Sequence, residues 1–185
     1  MVKNATNSTP SNFIVRGYRE GDRESCRRLW RELVEWHRKI YSDPTIGGED
    51  LEDYFDKHLA KIGPKKIWVA IQNAGVVGFA GLMIDGEEFT IDPIVVDSAF
   101  RGKGAGAQLV RRLVAEARKL GAKHLNVEPV VRNVEAIRFY HELGFVHIGQ
   151  LQLFIDFSDK TWQDVSKCTI LNLTTDSSID SLGEI

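Results

Sequence analysis

The sequence contains little cysteine, little net charge and no long apolar run. Its two cysteines, Cys26 and Cys168, lie far apart without metal ligands at the usual spacing, so we expect buried small side chains rather than a metal site or a disulfide. A formal net charge of -2 provides no strong field for nucleic acid or an anionic membrane. The chain shows neither an apolar run of about eighteen residues nor a signal-peptide pattern. These absences predict a cytoplasmic protein with no metal, nucleic-acid or membrane partner.

The length and composition fit one globular domain. A chain of 185 residues with 43% hydrophobic residues can bury a full core. Residues 1–12 are polar and interrupted by Pro10, so we expect a disordered N-terminal segment. Residues 13–173 form the predicted domain, and residues 174–185 form an acidic tail that we expect to be loose.

Apolar periodicity predicts the first elements. A strand is expected at 13–18, and helices at 22–41 and 49–62 each carry apolar residues three or four positions apart. Asp22 is predicted to cap the first helix by accepting its free N–H groups. His58 belongs to the apolar face of the second helix.

Three strands follow closely, at 66–72, 76–84 and 88–96, and their short turns predict an antiparallel meander. Pro93 lies inside the third strand. Because proline cannot donate to a ladder, we expect a bulge or a locally unpaired stretch there.

The remaining segments alternate between helix and strand. A helix ending at Leu120, a strand at 124–129, a short helix at 133–143 and a strand pair at 146–157 and 165–173 are predicted. The fold class is therefore α/β or α+β, with a mixed, mostly antiparallel sheet of about seven strands and helices on both faces.

The segment at 101–107 is rich in glycine and opens the long helix. Its glycines, Gly102, Gly104 and Gly106, leave backbone N–H groups uncovered beside the positive end of the helix dipole. Arg101 and Lys103 add two cationic donors. This arrangement predicts a site for a phosphate group.

Two well-known phosphate loops do not match this segment. A Walker A loop requires Gly-Lys-Ser/Thr, whereas Ala107 and Gln108 follow Gly106 here. A dinucleotide fingerprint belongs early in a β-α-β unit, whereas this loop follows several antiparallel strands. A glycine-rich turn without a ligand is the remaining alternative on the loop alone.

Two motifs resemble those of the GNAT superfamily of acyl-CoA-dependent N-acyltransferases. Residues 101–106, Arg-Gly-Lys-Gly-Ala-Gly, match the family's Q/R-x-x-G-x-G/A signature. The family's second motif, N-x-x-A-x-x-F/Y-Y-x-x-x-G-F, is matched downstream by Asn133, Ala136, Phe139, Tyr140, Leu143, Gly144 and Phe145. The resemblance covers roughly residues 13–173 and includes the order of the elements.

The resemblance implies that acetyl-CoA binds as the acyl donor, without a metal. Its pyrophosphate would be held by the loop residues Arg101, Gly102, Lys103, Gly104, Ala105, Gly106 and Ala107. Its pantetheine arm would pair with the backbones of Ile94 and Val96. Asn133 would contact the cofactor arm, although a helix N-cap alone also accounts for this residue.

The resemblance also implies transfer of an acetyl group to a primary amine by direct attack in a ternary complex. Tyr140 would be the general acid near the CoA sulfur, since a phenol with a pKa of about 10 is protonated at neutral pH. The Val96 N–H would polarise the thioester. Asp92 ranks first as the base, then Glu88, then Glu128, and a water chain to bulk solvent is the alternative.

The sequence leaves the identity of the amine acceptor open. The acidic stretch at 49–56 favours a cationic amine if it faces the cleft, and is otherwise a solvated helix face. Two kinds of acceptor fit the sequence: a small polyamine-like or aminoglycoside-like amine, and a protein lysine or N-terminal amine. The sequence is also compatible with a homodimer. A non-catalytic acyl-CoA-binding sensor or scaffold is the alternative function, and a binder of another nucleotide is the third.

Overall fold

The structure, a computed structural model, describes residues 13–48, 51, 53–150, 155 and 157. Its contacts form two compact units, one ending at Glu128 and the other beginning at Pro129. No helix among these residues has the length and apolar character needed to cross a membrane.

The first unit contains an antiparallel sheet and its covering helices. In chain order its elements are β1 (Ile14–Gly17), α1 (Arg23–Tyr41), α2 (Asp53–Ile62), β2 (Ile67–Gln72), β3 (Gly75–Asp85), β4 (Glu88–Val96) and α3 (Ala105–Lys119). These bounds confirm the predicted elements to within a few residues at their ends. Residues 49, 50 and 52 of the predicted second helix lie outside the described residues.

The predicted cap at Asp22 is wrong. Asp22 precedes α1 but makes no side-chain cap hydrogen bond. Its carboxylate instead accepts two bonds from the Arg16 guanidinium at 2.7 and 2.8 Å and one from the Arg19 N–H at 2.8 Å. Arg16 of β1 binds both carboxylate oxygens of Asp22, and this bidentate charge-assisted pair holds the carboxylate against β1 instead.

The sheet has the order β1-β2-β3-β4, and every neighbouring pair is antiparallel, which confirms the meander. Leu82 pairs with Ile91, and Ala80 pairs with Ile94. Two residues of β4, Asp92 and Pro93, therefore oppose Gly81 of β3 alone. This is a β-bulge, and it confirms the irregularity expected at Pro93.

The predicted strand at 124–129 is reduced to one parallel bridge, between Thr90 and Asn126. The sheet is therefore mixed, but the pairing is shorter than predicted because β4 bulges two residues later. The predicted strand at 146–157 has one bridge position at His147 and then runs into residues outside the described part. The predicted strand at 165–173 and the terminal segments 1–12 and 174–185 lie outside the described residues.

The helices of this unit cover both faces of the sheet, as predicted. On one face α1 and α2 close a core cluster of Cys26, Leu29, Phe55, Ile62, Ile67, Val69, Phe79 and Val95. On the other face Leu109 of α3 approaches β3 so closely that a Cβ on Gly78 would lie 3.4 Å from its methyl group. Burying a leucine or phenylalanine side chain contributes about 1.5–3 kcal/mol.

Cys26 is fully buried and carries a free thiol. Burial raises the pKa of this thiol to about 12, which keeps it protonated and unreactive at neutral pH. The predicted small buried side chain at this position is confirmed, whereas Cys168 lies outside the described residues.

The second unit contains α4 (Val134–Glu142). The Asn133 side-chain oxygen accepts a hydrogen bond from the Ala136 N–H at 3.1 Å, so the predicted N-cap is confirmed.

Candidate functional site

The last residues of β4 present backbone groups to the edge of the sheet. The Asp97 N–H donates to the Val77 carbonyl at 2.9 Å, so Asp97 takes a hydrogen-bonded position opposite β3. These positions alternate along an antiparallel pair. Ile94 and Val96 therefore take the other positions, where N–H and C=O point away from β3.

Because of the bulge, the backbone N–H and C=O groups of Ile91, before it, and of Ile94, after it, point to the same side of β4. The Ile91 N–H donates to the Asn126 carbonyl at 3.0 Å, and the Asn126 N–H donates to the Phe89 carbonyl at 2.8 Å. Since Ile91 and Ile94 are three residues apart, a regular strand would turn their backbone groups to opposite sides. The extra residue of the bulge restores the common direction.

β3 pairs with one side of β4, and on the other side no strand in the described part of the chain pairs with it beyond the Asn126 bridge. The edge at Ile94 and Val96 can therefore accept an extended molecule that carries amide groups, as an added strand would.

The glycine-rich segment continues directly from this edge into α3. Gly102 and Gly104 both have positive φ angles, 71° and 95°, which l-residues with side chains rarely adopt. The first backbone bond of α3 runs from the Gln108 N–H to the Gly104 carbonyl at 3.1 Å. The N–H groups before Gln108 therefore lack partners within the helix, and Gly104 has no side chain to cap them. This end of α3 suits an anion.

Charge along α3 agrees with that assignment. The first turn contains no acidic residue, and Arg118 and Lys119 stand in the last turn. The first turn of α3 thus offers no carboxylate of its own to the positive end of the helix dipole, while the last turn places two cations at the negative end.

Arg101 is held at the junction between β4 and the loop. Its Nε donates to the Val96 carbonyl at 3.1 Å, and its guanidinium carbon lies 5.2 Å from the centre of the Trp36 ring. Lys103 lies over the Phe100 ring, with Nζ 5.4 Å from the ring centre. Both predicted cations are therefore at the loop, and each rests on an aromatic ring.

A second residue of α1 holds the start of the same turn. Arg28 donates to the Asp97 carboxylate at 2.9 Å and to Glu32 at 2.5 Å. The other Asp97 oxygen accepts the Ala99 N–H at 2.9 Å. Helix α1 thus contacts both ends of the turn that leads into the glycine-rich segment.

The three predicted base candidates are all solvent-exposed. Glu88 stands at the start of β4, Asp92 is the first residue of the bulge, and Glu128 follows the Asn126 bridge. The two-residue alternation that aligned Asp92 with Glu88 ends at the bulge, because a bulge re-aims its side chains.

The acidic stretch on α2 is engaged within the protein at one position. Asp56 binds Arg23 at 2.9 Å and also pairs with Arg27. These guanidiniums, Arg27 first, lower the pKa of Asp56 to about 2. Asp56 therefore links α2 to α1 and does not present a free negative charge to an amine. The neighbouring residues 49, 50 and 52 lie outside the described residues.

His58 is a residue whose possible role the sequence reasoning missed. It lies on α2 with 8% of its surface exposed and packs against Trp30, with the rings tilted by 46° and their centres 5.1 Å apart. Burial lowers its pKa, partly opposed by Asp92, which raises it. The sequence places His58 on the apolar face of its helix, which predicts that the side chain is buried. It does not predict which residues of other elements the imidazole contacts.

The second unit places Tyr140 on α4. Its side chain is 8% exposed, and its ring contacts Phe139 and Phe145 at centre distances of 5.3 and 5.7 Å. Asn133 begins the same helix. The downstream motif therefore builds one capped helix with a buried tyrosine near its end.

The described residues hold no group of three or more His, Cys, Asp or Glu side chains that could bind a metal ion. What the first unit offers is an open strand edge that leads to a helix N-terminus.

Comparison with known proteins gives a family match over most of the chain. The model of the family described as "Acetyltransferase (GNAT) family" matches residues 30–145. This match includes β4, the glycine-rich segment, α3 and α4.

Two curated relatives align over most of their own length. An L-methionine sulfoximine/L-methionine sulfone acetyltransferase from Salmonella typhimurium is 28% identical over 161 residues, which cover 83% of this chain and 91% of that protein. The L-amino acid N-acyltransferase MnaT from Escherichia coli is 27% identical over 143 residues, covering 74% and 81%.

Solved structures show the same fold. An N-acetylglutamate synthase from Neisseria gonorrhoeae, complexed with coenzyme A and N-acetyl-glutamate, aligns with a TM-score of 0.55 at 18% identity. The alignment covers 72% of this chain and 28% of that one.

Proposed function

Because the chain belongs to the GNAT acetyltransferase family, whose members use acetyl-CoA as acyl donor, we propose that it transfers the acetyl group to a primary amine by direct attack. Both substrates would be bound at once. The observation that carries the proposal is the continuous path from the β4 edge at Ile94 and Val96 to the N-terminus of α3.

That path fits the two ends of coenzyme A. The pantetheine arm carries two amides, which can exchange hydrogen bonds with the outward backbone groups of Ile94 and Val96. The pyrophosphate is an anion, which the N–H groups at 102–107 and the helix dipole would stabilise. Arg101 and Lys103 would contribute positive charge beside it.

The chemistry requires a proton donor for the leaving thiolate and a polariser for the thioester carbonyl. We assign the first role to the Tyr140 hydroxyl, because a phenol is protonated at neutral pH and can donate. We assign the second to the Val96 N–H, which is directed at the strand edge. Asn133 would contact the cofactor arm while capping α4.

Removal of the ammonium proton is assigned to Asp92, with Glu88 as the second choice. Both are exposed carboxylates on β4, and Asp92 stands at the bulge, nearest to the proposed thioester position on Ile94 and Val96. A water chain remains the alternative route, since exposed groups exchange protons readily with solvent.

For the acceptor we propose the amine of a free amino acid or a close analogue. The two relatives that align over 91% and 81% of their own length are named for such acceptors. The engagement of Asp56 with two arginines also removes one of the charges that would have favoured a polyamine.

The test is thiol release from acetyl-CoA against a panel of amines. The panel contains L-methionine sulfone, L-leucine, spermidine, a tripeptide with a free N-terminus and a peptide whose lysine carries the only free amine. Release with the free amino acids is expected. Release only with spermidine or the peptides would refute the acceptor class and keep the transfer reaction. No release with any amine, despite calorimetric binding of CoA, would support a non-catalytic module.

Tyr140→Phe tests the proton donor in the same assay. We expect kcat to fall at least about tenfold, within the range of general acid catalysis, while the Kd for CoA stays within about twofold. Phe139→Leu is the matched control on the neighbouring position of α4, because it alters ring packing and keeps the hydroxyl. An unchanged kcat in Tyr140→Phe would remove Tyr140 from the mechanism.

A further inference from the structure

His58 contains a buried polar atom that the proposed mechanism does not use. Its Nε2 is buried and has no hydrogen-bond partner among the described residues. Leaving such a group without a partner costs about 1–3 kcal/mol, and apolar side chains of similar size would avoid that cost. A group of this kind calls for an explanation beyond packing against Trp30.

The position of His58 Nε2 relative to the β4 bulge supplies an explanation. A Cβ added to Gly81 would lie 2.9 Å from His58 Nε2 and 2.5 Å from the carbonyl oxygen of Asp92. The two atoms therefore converge on the same space above Gly81. The absence of a side chain there leaves the imidazole facing the bulge carbonyl, and Asp92 in turn raises the pKa of the imidazole.

The bulge in turn controls the proposed cofactor edge. Without its extra residue, the backbone groups of Ile94 and Val96 would turn toward β3 and away from the edge that Ile91 shares with Asn126. Pro93, which lacks an N–H, cannot anchor the bulge by a ladder bond of its own. The carbonyl of Asp92, which lies beside His58 Nε2 above Gly81, is a group through which α2 can hold the bulge.

We propose that His58 is a positioning residue, whose Nε2–H is directed at the Asp92 carbonyl and keeps the bulge in the shape that presents Ile94 and Val96 to acetyl-CoA. The inference rests on the proposed function and adds a residue of α2 to it. Desolvation keeps the imidazole neutral at pH 7, with the Asp92 carboxylate and Lys61 as the charged groups that act on it.

The competing explanation is that His58 only fills space beside Trp30. Three substitutions separate the two explanations. His58→Phe keeps an aromatic ring and removes the nitrogen, His58→Leu repeats that removal with a smaller side chain, and His58→Gln keeps an N–H donor of similar reach. His124→Phe makes the same change at an exposed histidine and serves as the control.

The measurements are kcat/KM for acetyl-CoA, the KM for the amine, the Kd for CoA by calorimetry and Tm. For His58→Phe and His58→Leu we expect kcat/KM for acetyl-CoA to fall at least about tenfold and the Kd for CoA to rise, with the KM for the amine unchanged. Tm of His58→Phe should stay near the wild-type value, because the phenyl ring keeps the packing against Trp30. His58→Gln should stay within about threefold of the wild type, and His124→Phe should match it.

Two results would overturn the proposal. One is wild-type kcat/KM for acetyl-CoA and wild-type Kd for CoA in both His58→Phe and His58→Leu, which would leave His58 a packing residue. The other is a His58→Gln variant as impaired as His58→Phe, which would mean that the imidazole itself is needed. Since the Kd for CoA is measured without an acceptor, failure to find an amine substrate would not count against His58.

Discussion

Replacing Gly104 with alanine tests whether the start of α3 is held in a strained conformation for an anion. Gly104 has φ 95° and ψ -4°, and no heavy atom outside its chain neighbours lies within 4 Å of an added Cβ. The new methyl group would therefore meet only local backbone. An l-residue in the left-handed region costs about 1–2 kcal/mol, and the free energy of unfolding should fall by that amount.

Gly121 provides the matched control at the other end of the same helix. It has φ 84° and the same open surroundings, so Gly121→Ala should cost a similar free energy of unfolding. The 15 residues of α3 separate the two positions by about 22 Å. Only the Gly104 change alters the N–H groups proposed to bind pyrophosphate.

The expected effect on binding follows from the strain. To the extent that the loop relaxes in the free Gly104→Ala variant, less of this strain lowers the free energy of unfolding, but binding must restore the strained conformation, and up to about 1–2 kcal/mol is lost from the affinity. That loss corresponds to a roughly 5- to 30-fold higher Kd for CoA. Calorimetry with CoA and urea unfolding of both variants measure the two quantities. Wild-type affinity together with a wild-type free energy of unfolding in Gly104→Ala, or equal weakening of CoA binding in Gly121→Ala, would refute the reasoning.

Two further predictions concern helix α1. Trp36→Ala removes the ring beneath Arg101 and should raise the Kd for CoA about two- to fivefold, which corresponds to the free energy of a cation–π contact at an exposed site. Lys39→Ala is the control, because its Nζ lies 6.0 Å from the same ring, and it should leave the Kd unchanged. Equal effects of the two substitutions would contradict the reasoning. The pKa of Asp56 is lowered from 3.8 to about 2, so its stabilising contribution is complete above about pH 4 and is lost as the pH falls toward 2. Urea unfolding between pH 4 and 2 should therefore show a shallower pH dependence in Asp56→Asn, and an unchanged slope would contradict this role.

The features that could be predicted from the sequence depend on local chemistry. Asn133 caps α4 because an amide three residues before a free N–H can reach it regardless of the rest of the fold. Pro93 predicts an irregular β4 because its missing N–H is a property of the residue itself. The glycines at 102 and 104 predict backbone conformations that other residues avoid.

The features that could not be predicted depend on which distant groups meet. Arg101 was expected to face a phosphate, and the structure also places it over Trp36 of α1. Asp22 has an ideal sequence position for a cap, but Arg16 is close enough in space to take its carboxylate. His58 was correctly placed on a buried face, yet nothing in its own helix indicated that its nitrogen would face the carbonyl of Asp92.

The same distinction explains why the reaction could be inferred before the acceptor. The proposed cofactor site consists of backbone groups, at Ile94 and Val96 and at the start of α3, and its sequence signature is residues that lack a side chain or an N–H. Such residues are recognisable one by one. An acceptor site consists of side chains brought together from separate elements, and the engagement of Asp56 by Arg23 and Arg27 shows how a neighbouring helix can cancel a charge that looks available in the sequence. The amine panel therefore carries information about this chain that its motifs cannot supply.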